Sequence, residues 1–501
     1  MSLLVLKWVL VSLVLVGAIP LVVASYQFLL VGVHFLRLHY RKCAPYYPRT
    51  AILVPAWNEA LVIGASVDRL MQLDYPPERL RVYVIDDAST DGTPELLREK
   101  ERQYPGRVFQ LRREVGGMGK AHTLNFGLEH VLASDWMQAV LIMDSDVIYE
   151  PESLRLMTRH LADPNVGAVN AYIKEGSRPG NYMTRFIGYE YITAQAAARR
   201  SQNVLGAVAC LAGGAQLHSR ANIEAIGGRI DTQTLAEDTV TTFLTQLRGA
   251  RVVFEPHAVV WAEEPGSITG LWRQRLRWGR GNIQVTRRFK GLWFRPRLPW
   301  SATPHRLGSI SFALFWFSLL LQPAFMIASS ASLITLFFID HSLAWTAFHA
   351  LWITNLLTYA FITAYSLLID PKTGRHVWRQ GLLFPGAVSV VIMLAAIWPP
   401  PLRFVIYHAL AFLGATSLRH HADAIELFTY SWLAGSMLFA YLAKVAEPRR
   451  FGRFLSPLLV YIGGFGPLLC AVTLASYVKE ARKAGTAWEK TEKTGKVAVG
   501  A

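Results

Sequence analysis

Charge-free apolar stretches constrain this chain more than any other feature. From Trp8 to Leu36 there is no Lys, Arg, Asp or Glu, and the same holds from Leu307 to Ile339. At ~1.5 Å rise per residue, roughly 20 helical residues cross the hydrocarbon of a bilayer, so each stretch is long enough for a span. The first is too long for a signal-peptide core. It runs into aromatic and basic residues with no small-residue cleavage site, which makes it a retained anchor.

Further charge-free runs cover His341–Ile369, Gln380–Leu402, Phe404–Leu418, Leu427–Ala443 and Phe454–Val478. Phe404–Leu418 is short for a span and suits an amphipathic or re-entrant piece. "GGFGP" at 463–467 is placed to break its segment in mid-membrane. Arg37, Arg41 and Lys42 follow the anchor, and Arg287, Arg288, Lys290, Lys372, Arg375 and Arg379 lie in other connections. Positive charge favours the cytosolic side, so the polar region is expected in the cytosol and the N-terminus outside. Arg449, Arg450 and Arg453 conflict with strict alternation if the basic tail after Val478 is cytosolic too.

Between the anchor and the apolar block, about Arg37 to Pro304, the pattern changes. "TAILVPA", "RVYVIDD" and "QAVLIMDSD" are short β-rich runs, each ending in acidic or turn residues. "EALVIGASVDRLMQL" and "GTPELLREKERQY" have helical spacing, the second opening on Thr93-Pro94. Alternating strands and helices imply a mostly parallel sheet, and such sheets bind ligands at the carboxyl ends of their strands. The acids lie at those ends. Net charge is +16, which suits cytosolic loops and an anionic ligand. Nucleic acid is excluded, because the arginines are not set among aromatic stacking positions on a soluble face. Cys43, Cys210 and Cys470 are too scattered for a disulfide framework or a metal cluster.

Asp86 and Asp87 end one strand, where they serve either as local caps or as ligands for a base or ribose. Asp144 and Asp146 form an Asp-x-Asp pair after a buried strand. Two carboxylates there repel each other and resist desolvation unless a cation joins them, and oxygen ligands favour Mg²⁺ or Mn²⁺. Glu237 and Asp238 begin a helix, as caps or with one as a general base. "GGMGKAHTLN" is glycine-rich and places Lys120 near a phosphate, although it lacks Walker spacing. "QRLRWGRG" (274–281) sets three arginines and an indole beside the apolar block. It is either a headgroup anchor or a grip on a diphosphate.

These motifs, in order, resemble the membrane-embedded family 2 glycosyltransferases of cellulose, chitin, hyaluronan and poly-N-acetylglucosamine synthesis. The resemblance covers about Thr50 to Phe289 and rests on "PAWNE", "DDASTDGT", "GKAHTLN", "DSD", "AED" and "QRLRW". The stretch "EEPGSITGLWRQRLRWGRG" and the tail "WEKTEKTGK" look most like the poly-N-acetylglucosamine branch. Trp57 stands where that family usually has tyrosine, His122 and Thr123 replace small residues, and "LAGGAQLHSR" matches the acceptor-side motif only loosely.

The resemblance implies a GT-A α/β catalytic domain, Rossmann-like with a mostly parallel sheet, inserted between N-terminal and C-terminal transmembrane helices. The expected boundaries are an anchor at 1–42, the cytosolic catalytic domain at 43–266 and amphipathic interface helices with the Gln-x-x-Arg-Trp motif at 267–304. A multi-span block at 305–478 and a cytosolic tail at 479–501 complete the chain. By the same resemblance Trp57, Glu59, Asp86 and Asp87 bind the uridine of a UDP-sugar, with Lys120 near it or the diphosphate. Asp144 and Asp146 hold nucleotide and metal, Mg²⁺ or Mn²⁺. Asp238 is the base, supported by Glu237, while Gln274, Arg277 and Trp278 close over diphosphate and acceptor. Arg275 and Arg280 are left as headgroup anchors.

The expected activity is processive, inverting polymerisation of a β-linked glycan of GlcNAc or glucose units. The polymer would leave through the protein's own helices in a bacterial inner membrane, with lipids and any accessory export subunits as partners. Gln322, Trp352, Asn355, Tyr359 and Tyr365 are candidates to line its route. The alternatives are a single-transfer enzyme acting on a membrane lipid, similar to ceramide glucosyltransferases, and a silent transporter or scaffold with a nucleotide-binding domain.

Overall fold

A computed structural model describes residues 2–295, 306–397, 422–483, 495 and 497. The chain forms two compact units. One comprises Leu29–Gly266, Arg280–Ala313 and Glu480–Ala501, and the other Met1–Phe28, Ser267–Gly279 and Leu314–Lys479.

The first unit is built on eight strands. They are β1 (Thr50–Ala56), β2 (Leu80–Asp86), β3 (Val108–Arg112), β4 (Ala139–Ile142), β5 (Ile148–Tyr149), β6 (Val166–Glu175), β7 (Gln216–Ser219) and β8 (Arg251–Ala262). They form one sheet in the order β3-β2-β1-β4-β7-β6-β8-β5. β1 pairs in parallel with β2 and β4, and β2 with β3. β7 runs antiparallel to both β4 and β6. The sheet is therefore mixed but mostly parallel, as the alternation of strands and helices required.

The three apolar runs read as strands are β1, β2 and β4, while both helical runs form helices, Ile63–Met71 and Thr93–Gln103. Ala51, Leu53, Tyr83, Ile85, Val140 and Ile142 project from one face of the sheet. They bury themselves against Leu124, Leu128 and Val131 of the helix Lys120–Leu132. Each such aliphatic side chain contributes about 1.5–3 kcal/mol when fully buried. Chain order reverses around β1, whose neighbours β2 and β4 lead away on opposite sides. A crevice at the strand ends follows from that reversal.

The second unit is helical. Among the described residues three helices are long and apolar enough to cross a membrane: Ile19–Lys42, Gln322–Ile339 and His341–Ile369. The count rises to five if each of two bent pairs is one span. Trp352, Phe348, Leu351, Leu333, Leu336, Ile392 and Tyr430 make its core with Leu10 and Val14.

Two expectations change here, and a third is met. The N-terminal apolar stretch is not one span but two helices, Leu3–Val16 and Ile19–Arg37. At the break the Ser329 hydroxyl donates to the Val14 carbonyl at 2.9 Å. A Cβ on Gly17 would lie 2.3 Å from the Ser329 Oγ. The run Gln380–Leu402 begins in a pair of helices, Pro371–Leu382 and Ala387–Ile397, bent by 75°. Pro385 and Gly386, with φ of 91°, make that bend. The segment with "GGFGP" does break: Gly452–Gly463 and Phe465–Ala481 meet at 95°, with Gly464 at φ 103°. Phe404–Leu418 lies outside the described residues.

Candidate active site

β1 ends at Ala56, and the chain turns through Trp57, Asn58 at φ 54° and Glu59. The turn is locked to the segment after β2. The Asn58 amide donates to Ser89 Oγ at 2.9 Å, the Thr90 amide to Asn58 Oδ1 at 2.8 Å, and the Glu59 amide to Thr93 Oγ1 at 2.9 Å. Glu59 is 9% exposed and Trp57 is half-buried.

Asp86 is fully buried. Its carboxylate accepts the Ser89 amide at 2.9 Å and pairs with Arg112 at 2.5 Å. The local-cap alternative is thus realised at Asp86, which holds the turn on which neighbouring groups are displayed. Asp87 pairs with Arg113 and accepts the Gly117 amide at 2.9 Å. The glycine-rich segment packs directly on it. A Cβ on Gly116 would come 2.0 Å from the Asp87 carbonyl oxygen, so a side chain there displaces the backbone. Arg112 and Arg113 had drawn no attention in the sequence. An arginine pair closing β3, level with two aspartates closing β2, was the available signal.

Lys120 opens the helix Lys120–Leu132 after Gly119, whose φ is 102°. Its ammonium lies 2.5 Å from Asp144 Oδ1 and donates to the Gly213 carbonyl at 3.0 Å. Across from it Glu237 and Asp238 start the helix Glu237–Leu247. Gly213 and Gly214 sit between these groups. A Cβ on Gly213 would meet Lys120 Nζ at 3.1 Å and Asp238 Oδ2 at 3.4 Å, and one on Gly214 would meet Asp144 Oδ2 at 3.3 Å. The fold therefore brings Lys120, Asp144 and Asp238 to one glycine-floored place from three separate parts of the sequence. Burial alone would lower the pKa of Lys120. Asp144 foremost, then Glu237 and Asp238, reverse that and raise it, so the lysine stays charged.

The glycine segment is itself fastened from behind. The Leu211 amide donates to Thr242 Oγ1 at 2.8 Å, the Ala212 amide to Asn170 Oδ1 at 3.2 Å, and Tyr149 Oη to the Gly214 carbonyl at 3.0 Å. Cys210 and Arg199 lie near Asp238, Arg199 buried and Cys210 half-buried. Burial and then Asp238 push the Cys210 thiol up. Burial lowers the pKa of Arg199, while Cys210 and Asp238 oppose the shift. Arg199 Nη1 donates to Gln202 Oε1 at 3.0 Å, and its Nε is buried without a hydrogen-bond partner. Sequence reasoning missed Arg199, which follows a π-helical turn at Ile192–Ala197.

Asp146 is 6% exposed, two residues past Asp144. Among the described residues no three His, Cys, Asp or Glu side chains are grouped to enclose a metal. Asp144 beside the glycine segment, with Asp146 two residues on, instead suits a hard cation that takes its remaining oxygen ligands from phosphate and water. That donor set fits Mg²⁺ or Mn²⁺.

Gln274, Arg277 and Trp278 belong to the helical unit. They lie on the helix Ile268–Arg288, whose residues from Arg280 onward fall in the sheet-based unit. Glu447 accepts the Ile268 and Thr269 amides at 2.7 Å each, capping the helix. Arg277 is half-buried, and Trp278 is 37% exposed. The anchor reading of Arg275 and Arg280 is corrected. Arg275, 7% exposed, stacks over the Trp278 ring at 4.0 Å. Arg280 is buried against Glu480, Nε to Oε1 at 2.6 Å. Neither guanidinium is placed to float in a headgroup layer, because each has a partner on the protein.

Residues 48–281 match the family model described as "Glycosyltransferase like family 2". Among curated proteins, beta-monoglucosyldiacylglycerol synthase of Synechocystis sp. is 33% identical over 239 residues, 48% of each chain. Poly-beta-1,6-N-acetyl-D-glucosamine synthase of Staphylococcus aureus is 30% identical over 236 residues, 46% of this chain and 54% of its own. Among solved structures, a mannosyltransferase from Pyrobaculum calidifontis, in complex with GDP-Man and Mn²⁺, aligns with a TM-score of 0.49 and 22% identity. That alignment covers 77% of this chain and 99% of the other. The chain spans about half the length of the curated relatives it matches.

Proposed function

We propose that the chain, whose residues 48–281 match the family 2 glycosyltransferase model, transfers a sugar from a UDP-sugar to the hydroxyl of a membrane lipid, with inversion at the anomeric carbon. The observation that carries the chemistry is the convergence of Lys120, Asp144 and Asp238 around Gly213–Gly214. Transfer from a nucleotide sugar needs a stabilised leaving group and an activated hydroxyl, and this arrangement supplies both.

Asp238 accepts the acceptor's proton as the hydroxyl oxygen attacks the anomeric carbon. The bond from that carbon to the diphosphate oxygen breaks, and UDP leaves with the electron pair. A positioned base is worth typically ~10²–10⁴-fold. Lys120 binds the diphosphate, and Glu237 adds to the field that keeps Lys120 charged. Asp144 and Asp146 would hold Mg²⁺ or Mn²⁺, which supplies charge neutralisation at the leaving diphosphate. Trp57, Glu59 and Asp87, with Asp86 fixing the turn, bind the uridine.

The lipid acceptor is supported by the helical unit. It contains a recess of about 690 Å³ lined chiefly by Leu356, Tyr359, Thr363, Trp378, Leu382 and Val390, a lining suited to acyl chains. Of the residues expected along a glycan route, Trp352 is 2% exposed and Asn355 Nδ2 donates to its own helix at Leu351 O, 2.9 Å away. Tyr365 stacks on Phe361 with centroids 5.7 Å apart. Trp352 thus packs in the core between helices, while these contacts of Asn355 and Tyr365 lie within their own helix.

The second reading is the processive synthase, favoured by the poly-N-acetylglucosamine synthase relative. It would bring a growing glycan and accessory export subunits as partners. In both readings the catalytic domain faces the cytosol of a bacterial inner membrane. Incubating the purified protein with radiolabelled UDP-sugars and membrane lipid, then sizing the product, decides between them. One sugar on an organic-extractable lipid supports the first reading, a long water-soluble glycan the second.

A further inference from the structure

The backbone leading into Asp238 is held from one side by a chain of hydrogen bonds that ends at Glu480. The Leu235 amide donates to Gln284 Oε1 at 2.9 Å. Gln284 Nε2 donates to Glu480 Oε1 at 3.1 Å, and Arg280 Nε donates to the same oxygen at 2.6 Å. Arg287 stands 3.7 Å from the other carboxylate oxygen. The Arg280 and Glu480 side chains are only 10% and 9% exposed.

Between these contacts Gly281 lies flat against the loop. A Cβ there would come within 2.7 Å of the Ala236 Cβ and 3.1 Å of the Leu235 carbonyl carbon. Five residues upstream Asp231 is tied to the same helix by Arg288 at 2.5 Å, and Asp231 also accepts the Thr234 amide at 3.1 Å. The loop 231–236 is thus fastened at both ends, and Glu237 and Asp238 emerge from its fixed end.

The polarity of this chain is set by Glu480. An ionised carboxylate only accepts hydrogen bonds, so Gln284 must turn its NH₂ toward Glu480. Its carbonyl oxygen then faces the Leu235 amide, which has a donor and nothing else to offer. A neutral amide at 480 removes that constraint, because it can accept or donate and lets Gln284 flip.

We propose that Glu480 is a positioning residue for the Asp238 loop, acting through the orientation it imposes on Gln284 and the anchorage of Arg280. The inference rests on the reading of Asp238 as the base. A shift of about 1 Å in a reacting group can cost ~10²-fold in rate without touching ground-state binding. Glu480 therefore bears on kcat more than on the KM for the UDP-sugar.

Three variants in the full-length detergent-purified enzyme test this: Glu480→Gln, Gln284→Glu, and both together. In the double variant residue 284 is the obligate acceptor, and residue 480 can present its NH₂ to it. The Leu235 amide then regains a partner, and Arg280 keeps a carboxylate nearby. We expect Glu480→Gln to lower kcat about tenfold or more with the donor KM changed less than twofold, and the double variant to recover most of the loss. Hydrogen exchange at the 231–236 backbone should rise in Glu480→Gln and fall again in the double variant.

Wild-type kcat in Glu480→Gln overturns the proposal. So does a loss that the double variant does not relieve while its UDP-sugar binding is normal. The exchange measurement separates the two levels of inference. Wild-type protein that releases no UDP, with exchange at 231–236 still governed by residue 480, refutes the enzymatic reading alone. Unchanged exchange in an active enzyme refutes the role of Glu480 alone.

Discussion

Lys120 Nζ and Asp144 Oδ1 are 2.5 Å apart, joined across the crevice from the start of a helix and the end of β4. The pair sets a balance of charge that a diphosphate must enter. Lys120→Met leaves Asp144 facing the diphosphate without its counter-charge, and a hydrogen bond to a charged group is worth about 1.5–3 kcal/mol. The donor KM should rise by about tenfold or more, measured by UDP release over a donor titration. An unchanged KM removes Lys120 from the diphosphate site.

Asp238→Asn preserves shape and removes a base. Turnover should fall by ~10²–10⁴-fold while UDP-sugar binding, followed by calorimetry, stays near normal. Excess chelator should abolish wild-type activity, and Mg²⁺ or Mn²⁺ should restore it. Near-normal turnover in the asparagine variant would return Asp238 to the role of a helix-start acid.

Arg277 and Arg280 are three residues apart on one helix, Arg280 buried against Glu480 and Arg277 half-buried. Arg280→Ala strands the buried Glu480 carboxylate, a change that costs about 3 kcal/mol and should appear as a lowered Tm in detergent. Arg277→Lys keeps the charge but loses the planar fork. Its effect should fall on activity at unchanged Tm. Equal Tm losses at the two positions would contradict this division.

Glu447 and Ser476 meet the same helix, Ile268–Arg288: Glu447 at its start, and the Ser476 hydroxyl at the Leu276 carbonyl, 3.4 Å away. The bent pair Gly452–Gly463 and Phe465–Ala481 thus touches one helix near both of its ends. If it is a re-entrant loop, Arg449, Arg450 and Arg453 share a side with the tail. In a chain with Cys43, Cys210 and Cys470 changed to Ser, cysteines at Arg450 and Arg482 should label from the same side with an impermeant maleimide. Labelling from opposite sides would make the pair a broken span.

Glu175 reports on pH. Burial, opposed by bonds from Ser177 and helped by Glu264, raises its carboxyl to about 7. A carboxyl raised above its unfolded value of 4.5 penalises the fold when ionised. The penalty is full above pH 7 and fades as pH falls toward 4.5. Glu175→Gln should therefore raise Tm at pH 8 and leave it nearly unchanged at pH 4.5. A stabilisation independent of pH would point to packing instead.

Much of this was legible in the primary structure because local patterns carry it. β1 coincides with "TAILVPA" since a short apolar run with Thr50, Ile52, Leu53 and Val54 buries on both sides of a central strand. "GGFGP" breaks its segment because Gly464 adopts a φ of 103° that other residues resist. Arg280 was misread for the opposite reason. Its partner Glu480 is 200 residues away, and no spacing rule links two residues that meet only after the chain has folded.

The sequence by itself determined where apolar helices form, that strands and helices alternate between them, and which residue types stand at strand ends. Those follow from periodicity, burial and the special backbone of glycine and proline, all of which act over a few neighbours. Only the tertiary structure decided which acids work together. Asp86 is turned inward to Arg112 and Ser89, whereas Asp144 meets Lys120 and shares a glycine floor with Asp238. An isolated aspartate has the same chemistry at every position. Its function is set by the charges that folding places within a few ångströms, and those come from distant parts of the chain.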